Sequence, residues 1–235
     1  MKKTTTRIDD SNDRQRAGPP QEYASPFEAE RHDAMGSLPP DANPFSSCYV
    51  RPGAIPFRFS GQITASLVVD RLRQSNWSGQ IVGPHGSGKS TCLATLIPYL
   101  EREGKQIDLY RLADRQRQLP PRPAAPPWNA SVLVIVDGYE QLSWWNRWQL
   151  RRKCRQFNAG LLVTTHVDLG LPTIYTASVE PSTARELVNE LLRRGSLPLP
   201  PTAIDDALSR HDSNLREVLF ELYDRYERER QRRGS

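Results

Sequence analysis

The stretch GPHGSGKST, residues 83–91, decides how the rest of this sequence is interpreted. It fits the pattern GxxxxGK[ST], with Gly83, Gly88, Lys89 and Ser90 at the four fixed positions. Glycines let the backbone fold around an anion so that its N–H groups point at a phosphate, and the following helix adds positive potential at its N-terminus. The stretch therefore predicts a phosphate-binding loop, against the alternative of an ordinary glycine-rich turn before a helix.

The side chains of this loop have separate expected roles. Lys89 is expected to reach the β- and γ-phosphates of a nucleoside triphosphate, and Ser90 to supply a hydroxyl to Mg²⁺. The other nucleotide-binding residues of this prediction are Gly83, Pro84, His85, Gly86, Ser87, Gly88 and Thr91. ATP is the expected nucleotide, because the sequence contains no Asn/Thr-Lys-x-Asp motif of the kind that reads guanine.

A candidate metal ligand ends the apolar segment SVLVIVDG, residues 131–138. Asp137 follows an unbroken apolar run, and a carboxylate at the tip of a buried strand can hold Mg²⁺ through a water. A predicted strand-helix-strand series separates Asp137 from Lys89. This order favours the metal role over the alternative, in which Asp137 simply caps the next helix.

Hydrolysis also needs a group that orients the attacking water. Gly138 stands directly after Asp137, so the nearest acid is Glu140, which is the candidate base; the alternative is a helix-start glutamate favoured by the helix dipole. The segment LLVTTH ends in two further polar residues, Thr165 and His166. We expect one of them, His166 ahead of Thr165, to contact the γ-phosphate or the attacking water, against the alternative of a hydrogen-bonded turn.

Short apolar segments alternate with amphipathic ones through the middle of the chain. The two longest apolar segments have no polar interruption, which is typical of strands buried on both faces of a parallel sheet. Five strands are predicted, at 80–82, 106–112, 131–138, 160–166 and 173–179. The alternation predicts an α/β fold with a five-stranded, mostly parallel sheet flanked by helices.

The segments GPHGSGKST, VLVIVDGYEQL and LLVTTH together resemble the Walker A, Walker B and sensor 1 motifs of AAA+ and STAND ATPases, which are P-loop NTPases. VDGYE is similar to the DxxE variant of STAND proteins, which implies that Glu140 is the base. AIDDALSRHDSNLREVLFELYDRYE resembles the C-terminal helical lid of AAA+ proteins, whose last helix typically begins Gly-Asn-x-Arg. Ser213, Asn214, Leu215 and Arg216 stand there, so the resemblance implies that the Arg216 guanidinium contacts the γ-phosphate.

The resemblance covers about residues 50–228 and implies a chain of three parts. A tail at 1–45, rich in charged residues and proline and poor in aliphatics, is predicted to be disordered. The P-loop nucleotide-binding domain is expected at 46–180 and the small helical lid at 181–235. Two further departures from the family pattern are Ser213, in place of the usual glycine, and VDLGLP, which contains no arginine finger. The second departure disfavours ring-shaped hydrolysis activated by a neighbouring subunit.

Composition excludes several other classes of protein. The 235 residues carry a net charge of +5, which by itself does not imply nucleic-acid binding. Three cysteines stand far apart without CxxC spacing, which argues for reduced thiols and against a disulfide framework or zinc site. The longest apolar run, at 132–136, is far too short to cross a bilayer. We therefore expect a cytoplasmic protein that does not bind membranes.

One predicted helix, QLSWWNRWQLRRKCRQF at 141–157, carries a second candidate binding surface. At about 100° per residue, its expected core face comprises Leu142, Leu150, Cys154 and Phe157. Largely opposite lie three tryptophans and three arginines: Trp144, Trp145, Trp148, Arg151, Arg152 and Arg155. Aromatic rings among guanidinium groups can bind nucleic acid or an acidic protein. The alternative is that the lid or the N-terminal segment covers the tryptophans and leaves the arginines as a solvated rim.

The sequence thus favours an ATP-binding module that hydrolyses ATP slowly with Mg²⁺ and couples this to a conformational switch. Two alternatives stay open: a nucleotide-binding regulatory protein without hydrolysis, and a nucleic-acid-dependent ATPase acting through the helix from Trp144 to Arg155. An unidentified protein partner is also expected. A small-molecule kinase is disfavoured because no separate acceptor pocket is visible, and an ABC transporter because no LSGGQ-like segment occurs.

Overall fold

The structure is a computed structural model, and it describes residues 38–39, 42–113, 115–121, 127–212 and 214–234. Most of the predicted tail, the centre of the proline-rich segment near residue 124, and Ser213 lie outside these ranges. Among the described residues, no helix has the length and apolar character needed to cross a membrane.

Strands and helices follow one another through the described residues, although no described helix lies between the second and third strands or between the fourth and fifth. The strands are β1 (Ser78–Val82), β2 (Gln106–Arg111), β3 (Val132–Asp137), β4 (Gly160–Thr165) and β5 (Thr173–Thr176). The helices are α1 (Ser47–Val50), α2 (Ala65–Gln74), α3 (Lys89–Arg102), α4 (Trp144–Gln156), α5 (Pro181–Arg194), α6 (Pro201–Arg210) and α7 (Leu215–Gly234). A single 3-10 turn, Tyr139–Gln141, lies between β3 and α4.

The five strands form one sheet in the order β2-β3-β4-β1-β5, and every described pair of neighbours is parallel. The predicted α/β fold, with its five-stranded sheet flanked by helices and its C-terminal helical part, is confirmed. β4 lies between β1 and β3: Val82 is paired with Thr165, and Val136 with Val163. The carboxyl ends of these three strands therefore meet at one edge of the sheet.

β3 shows why its sequence is apolar without interruption. Leu133 and Ile135 pack in a cluster with α2 and α3 on one face of the sheet. Val134 and Val136 pack on the other face with Leu150 of α4. Residues 132–136 are fully buried on both faces of the strand, and this burial accounts for their unbroken apolar sequence; the polar Asp137 follows at the strand end.

The core face predicted for α4 is wrong at one residue. Ser143 caps the helix by accepting a hydrogen bond from the Asn146 N–H at 3.3 Å, and Leu150 and Cys154 are buried as expected. Phe157, however, is 43% exposed. The helix ends at Gln156, so Phe157 lies beyond the last turn and no longer follows the helical periodicity.

The three cysteines are free thiols. Cys92 and Cys154 are buried in the two clusters that cover the sheet, and burial raises the pKa of both thiols to about 12. They are therefore protonated at neutral pH and act as small apolar core residues. Cys48 is exposed.

The C-terminal helices have their own apolar cluster, separate from those on the sheet. Val188 of α5, Ala207 of α6 and Leu222 of α7 are fully buried in it. Tyr226 lies at its centre, where its ring meets Phe45 edge to face at 6.2 Å between centroids. The last residues of the predicted tail are thus packed against α7 in this structure.

The Tyr226 hydroxyl fixes the turn between α5 and α6. It accepts hydrogen bonds from the backbone N–H groups of Ser196 and Leu197 at 3.2 and 3.1 Å. We expect Tyr226→Phe to lower the free energy of unfolding by about 1–3 kcal/mol, because two N–H donors lose their acceptor. Tyr223→Phe, at an exposed ring of the same helix, is the matched control. Urea denaturation of both variants measures the difference, and equal losses would contradict this role.

Candidate functional site

The loop between β1 and α3 has glycine at three positions where a side chain does not fit. Gly86 and Gly88 adopt φ angles of +72° and +81°, in the left-handed region that favours glycine. A Cβ on Gly83 would lie 2.4 Å from the carbonyl oxygen of Ala177, which is too close for any side chain. The loop is followed directly by α3, which begins at Lys89. Its shape is therefore fixed by the glycines of the motif.

The Lys89 side chain turns back over this loop. Its ammonium group donates to the carbonyl oxygens of Gly83 and Pro84, both at 2.7 Å, and lies 3.1 Å from Nδ1 of His166. Burial lowers the pKa of Lys89, while the negative charges of Glu140 and Asp137 act in the opposite direction. The ammonium is thus held at the centre of the site by carbonyls and by two nearby carboxylates.

His166 links Lys89 to Glu140. Its Nε2 lies 2.9 Å from Oε1 of Glu140, and its Nδ1 lies 3.2 Å from the carbonyl oxygen of Gly83. The ring stacks on His85 of the loop, with 3.5 Å between centroids. Neutral imidazole with its proton on Nε2 satisfies the contacts with Lys89 and Glu140, because Nδ1 then accepts from Lys89 and Nε2–H donates to Glu140.

The surroundings of His166 favour this neutral form. Burial lowers its pKa below the ordinary value, and the positive charge of Lys89 adds to the effect. Glu140 and the carbonyl oxygen of Gly83 oppose it. A positive charge on the ring would stand beside the Lys89 ammonium, so repulsion accounts for part of the shift.

Glu140 lies on the 3-10 turn that follows β3. Gly138 caps this turn with φ +86°, and a Cβ there would lie 3.2 Å from the carbonyl oxygen of Leu112. Residue 138 is therefore restricted to glycine, and the acid comes two residues later. One carboxylate oxygen of Glu140 contacts His166; its other oxygen, Oε2, is buried and has no hydrogen-bond partner among the described residues.

Asp137 is oriented by a residue that the sequence analysis missed. The Thr164 hydroxyl donates to Oδ1 of Asp137 at 2.6 Å and accepts from the N–H of Gly138 at 2.9 Å. Thr165, the other strand-end candidate for a phosphate contact, is fully buried, and its hydroxyl donates to the carbonyl of Val167 at 2.8 Å. Thr164, rather than Thr165, is therefore the strand-end threonine that belongs to the site.

A cavity of about 560 Å³ opens over the loop. Ser90, Asp137, Glu140 and His166 all line it. The sequence-predicted loop residues that also line it are His85, Gly86, Gly88, Lys89 and Thr91. Ser87 is buried beneath the loop, and its hydroxyl has no partner among the described residues. Gly83 and Pro84 contribute through the carbonyls that hold Lys89.

The first turn of α7 forms the opposite wall of the cavity. Arg216 lines it together with Leu215, Leu219 and Phe220, and its guanidinium carbon lies 5.6 Å from the centre of the Phe220 ring. The structure shows no contact between Arg216 and Lys89 or Glu140 among the interactions of the described residues. Arg216 therefore shares the cavity without joining the network at the loop.

Asn214, directly before α7, makes the close approach to the loop. A Cβ placed on Gly86 would lie 1.7 Å from Oδ1 of Asn214. The asparagine side chain therefore occupies the space that a side chain at residue 86 would need. This Oδ1 is buried and has no hydrogen-bond partner among the described residues. The C-terminal helical part thus contacts the loop through one polar side chain.

Comparisons with known proteins add little to this geometry. No protein-family model matches the sequence, and no curated protein matches it either. A structural comparison finds similarity to C. elegans PCH-2, with 12% sequence identity and a TM-score of 0.34 over 69% of this chain and 68% of that chain. A score this low supports no conclusion about function, which has to be argued from the site.

The protonation state of His166 has a measurable consequence for stability. Because the folded protein holds the pKa of His166 below 6.5, the unfolded chain takes up this proton more readily. The contribution of neutral His166 is therefore complete above pH 6.5 and is lost as the pH falls below that value. Urea unfolding of the wild type at about pH 7.5 and 5.5 is expected to show lower stability at the acidic pH.

His166→Asn is the variant that isolates this effect. Without the imidazole, the loss of stability between the two pH values is expected to be smaller than in the wild type. Equal losses in the two proteins would show that His166 does not titrate in this way.

Proposed function

We propose that this chain is an ATP-binding P-loop ATPase module of the AAA+/STAND kind, which hydrolyses ATP slowly with Mg²⁺. The observation that carries the proposal is the continuous set of contacts from Lys89 through His166 to Glu140. It lies at the edge where β1, β3 and β4 end, and Asp137 lines the same cavity. A nucleotide pocket with an acid in reach of a bound phosphate is the function that fits this arrangement best.

The loop residues fit a triphosphate in charge and in shape. Left-handed glycines and the N-terminus of α3 surround a buried ammonium group, which is the combination that binds phosphate in proteins. The donors of Lys89 are directed at two carbonyls and His166, and phosphate oxygens would compete for those donors. The unpartnered hydroxyl of Ser87 is a further donor within the loop.

Ser90 and Asp137 fit a magnesium ion by the chemistry of their oxygens. Mg²⁺ prefers hard oxygen ligands and retains several waters, so one hydroxyl and one carboxylate suffice from the protein. Thr164 holds Asp137 with a hydrogen bond of 2.6 Å, which fixes the carboxylate at the end of β3. The bound ion would supply charge neutralisation at the phosphates.

Glu140 is the base that this proposal assigns to the attacking water. Its oxygen Oε2 is buried and unpartnered among the described residues, so it can accept a proton. The Nε2–H of His166 holds the other oxygen at 2.9 Å and limits rotation of the carboxylate. His166 therefore acts as the residue that positions the base.

The conformational switch would run through the contact between α7 and the loop. Asn214 lies against Gly86, and Arg216 shares the cavity, so a nucleotide in the cavity would meet both elements at once. A guanidinium suits phosphate recognition because it is always charged and can donate two hydrogen bonds in parallel. Nucleotide binding in the cavity would thereby be transmitted to the helices α5–α7.

The second candidate is a nucleotide-binding regulatory protein without hydrolysis. Gly138 favours it, because the left-handed turn moves the acid two residues beyond the position used by many P-loop ATPases. In that case the same cavity would bind MgATP, and Glu140 would serve only as the partner of His166.

Turnover and binding measured on the same variants separate these functions. We expect Glu140→Gln to retain MgATP binding by calorimetry and to lower phosphate release by about 10²–10⁴-fold, which is the usual range for loss of a general base. Lys89→Ala is expected to lose binding and release together. Glu186→Gln, at an exposed carboxylate of α5, is the control and should match the wild type.

The outcomes are distinct for each candidate. MgATP binding that depends on Lys89 without any phosphate release would establish the regulatory function in place of the enzyme. Equal phosphate release from the wild type and Lys89→Ala would contradict ATP hydrolysis at this site.

A further inference from the structure

The first turn of α4 exposes three large aromatic rings. Trp144, Trp145 and Trp148 are 71%, 53% and 38% exposed. The alternative raised from the sequence was that the lid or the N-terminal segment covers them. Its first half does not hold for the described residues, and most of the N-terminal segment lies outside those residues. Exposed apolar rings gathered at one place on a surface mark an interaction site. We call Trp144, Trp145, Trp148, Arg152 and Arg155 the tryptophan surface.

The rings of this surface form a row of π-faces. Trp145 and Trp148 are stacked, with 5.0 Å between centroids and 21° between planes. Trp144 continues the row at 6.2 Å from Trp145. At the other end, the guanidinium carbon of Arg152 lies 5.4 Å from the centre of the Trp148 ring. Flat groups of matching size could add to this row by stacking.

The charge of α4 is entirely of one sign. Between Trp144 and Gln156 there are five basic residues and no acidic one. Arg151 is used inside the fold, because it donates to the Tyr139 hydroxyl at 3.0 Å and to the carbonyl of Leu169. Arg152 and Arg155, by contrast, are exposed. The surface is therefore complementary to a polyanion.

Helical spacing places the rings and the charges on one stripe. Trp145, Trp148, Arg152 and Arg155 are separated by three, four and three residues, so they lie along the same side of α4. Arg152 interrupts the aromatic row with a charged group after a single turn. A helix that lies on a membrane buries a continuous apolar face instead, so this stripe does not fit a lipid surface well.

We propose that the tryptophan surface binds single-stranded nucleic acid. Unpaired bases would stack on the indole rings, and the phosphates between them would contact Arg152 and Arg155. A duplex keeps its base faces inside the stack, so the exposed rings favour single strands over duplexes. Sequence preference is expected to be low, because every base offers a π-face.

This surface is independent of the nucleotide cavity. None of the five residues that define it lines that cavity. Lys89→Ala is therefore expected to bind single strands as the wild type does, whether or not the chain hydrolyses ATP. Failure of the proposed ATPase activity would leave this inference untouched.

The test is fluorescence anisotropy of a labelled 20-nucleotide oligo-dT with the full chain at low salt. We expect the Trp145→Ala/Trp148→Ala variant to weaken binding at least about 5-fold, the lower bound for loss of one stacked base. Phe157→Ala, an exposed ring at the far end of the helix, is the control and should stay within about 2-fold of the wild type.

The electrostatic part is tested with a second pair of variants. Arg152→Gln/Arg155→Gln should weaken binding and reduce the salt dependence by roughly 1.4 in the slope of log K against log salt, because each phosphate contact to a single strand contributes about 0.7. Arg228→Gln/Arg232→Gln on α7 removes the same charge elsewhere and should leave the slope unchanged.

Three results would overturn the proposal. The first is the absence of oligo-dT binding at low salt, together with no quenching of the wild-type tryptophan fluorescence by oligo-dT. The quenching measurement needs no variant. Another is binding to a duplex of the same length as tight as to the single strand and unaffected by the tryptophan substitutions. The third is binding to phosphatidylserine vesicles, or to polyglutamate as a model acidic protein, without binding to the oligonucleotide.

Discussion

The parallel register of β4 between β1 and β3 is the constraint on which the site depends. β1 leads into the glycine loop at 83–88, β3 carries Asp137 and the turn with Glu140, and β4 carries Thr164 and leads to His166. Parallel neighbours end at the same edge, so segments far apart in sequence converge there. A shift of one residue in β4 would exchange the faces of Thr164 and Thr165 and separate Asp137 from its hydrogen bond.

The polar groups at this edge compensate one another in a partly buried environment. The Lys89 ammonium needs partners because desolvation of a charge is costly, and it finds two carbonyls and a neutral imidazole. That imidazole in turn holds Glu140. Within the part of the chain that the structure describes, Oε2 of Glu140 and the hydroxyl of Ser87 have no hydrogen-bond partner. Buried polar groups of this kind are rare in folded proteins, and each one calls for an explanation such as a catalytic role or a bound ion.

The C-terminal helices contact this edge at two places, and they also pack against the segment that precedes β1, where Phe45 lies against Tyr226 and Arg58 pairs with Glu186 and Glu190. Their apolar cluster around Leu222 and Tyr226 is separate from the clusters on the sheet. Their approach to the loop depends instead on Asn214 over Gly86 and on the wall that α7 gives to the cavity. A polar contact of this size costs little to rearrange, whereas the apolar packing of Phe45 in the C-terminal cluster ties these helices to the segment before β1.

The sequence by itself determined the strands, the glycine loop before α3 and the choice of Lys89, Asp137 and Glu140 as candidate site residues, because apolar runs and glycine spacing are local properties of the chain. Only the tertiary structure decided that Thr164 rather than Thr165 supports Asp137, since adjacent strand residues point to opposite faces and the register chooses between them. It also decided that Phe157 lies outside the core and that Asn214 touches Gly86. These depend on where a helix ends and how helices pack on the sheet, and short-range patterns do not encode either.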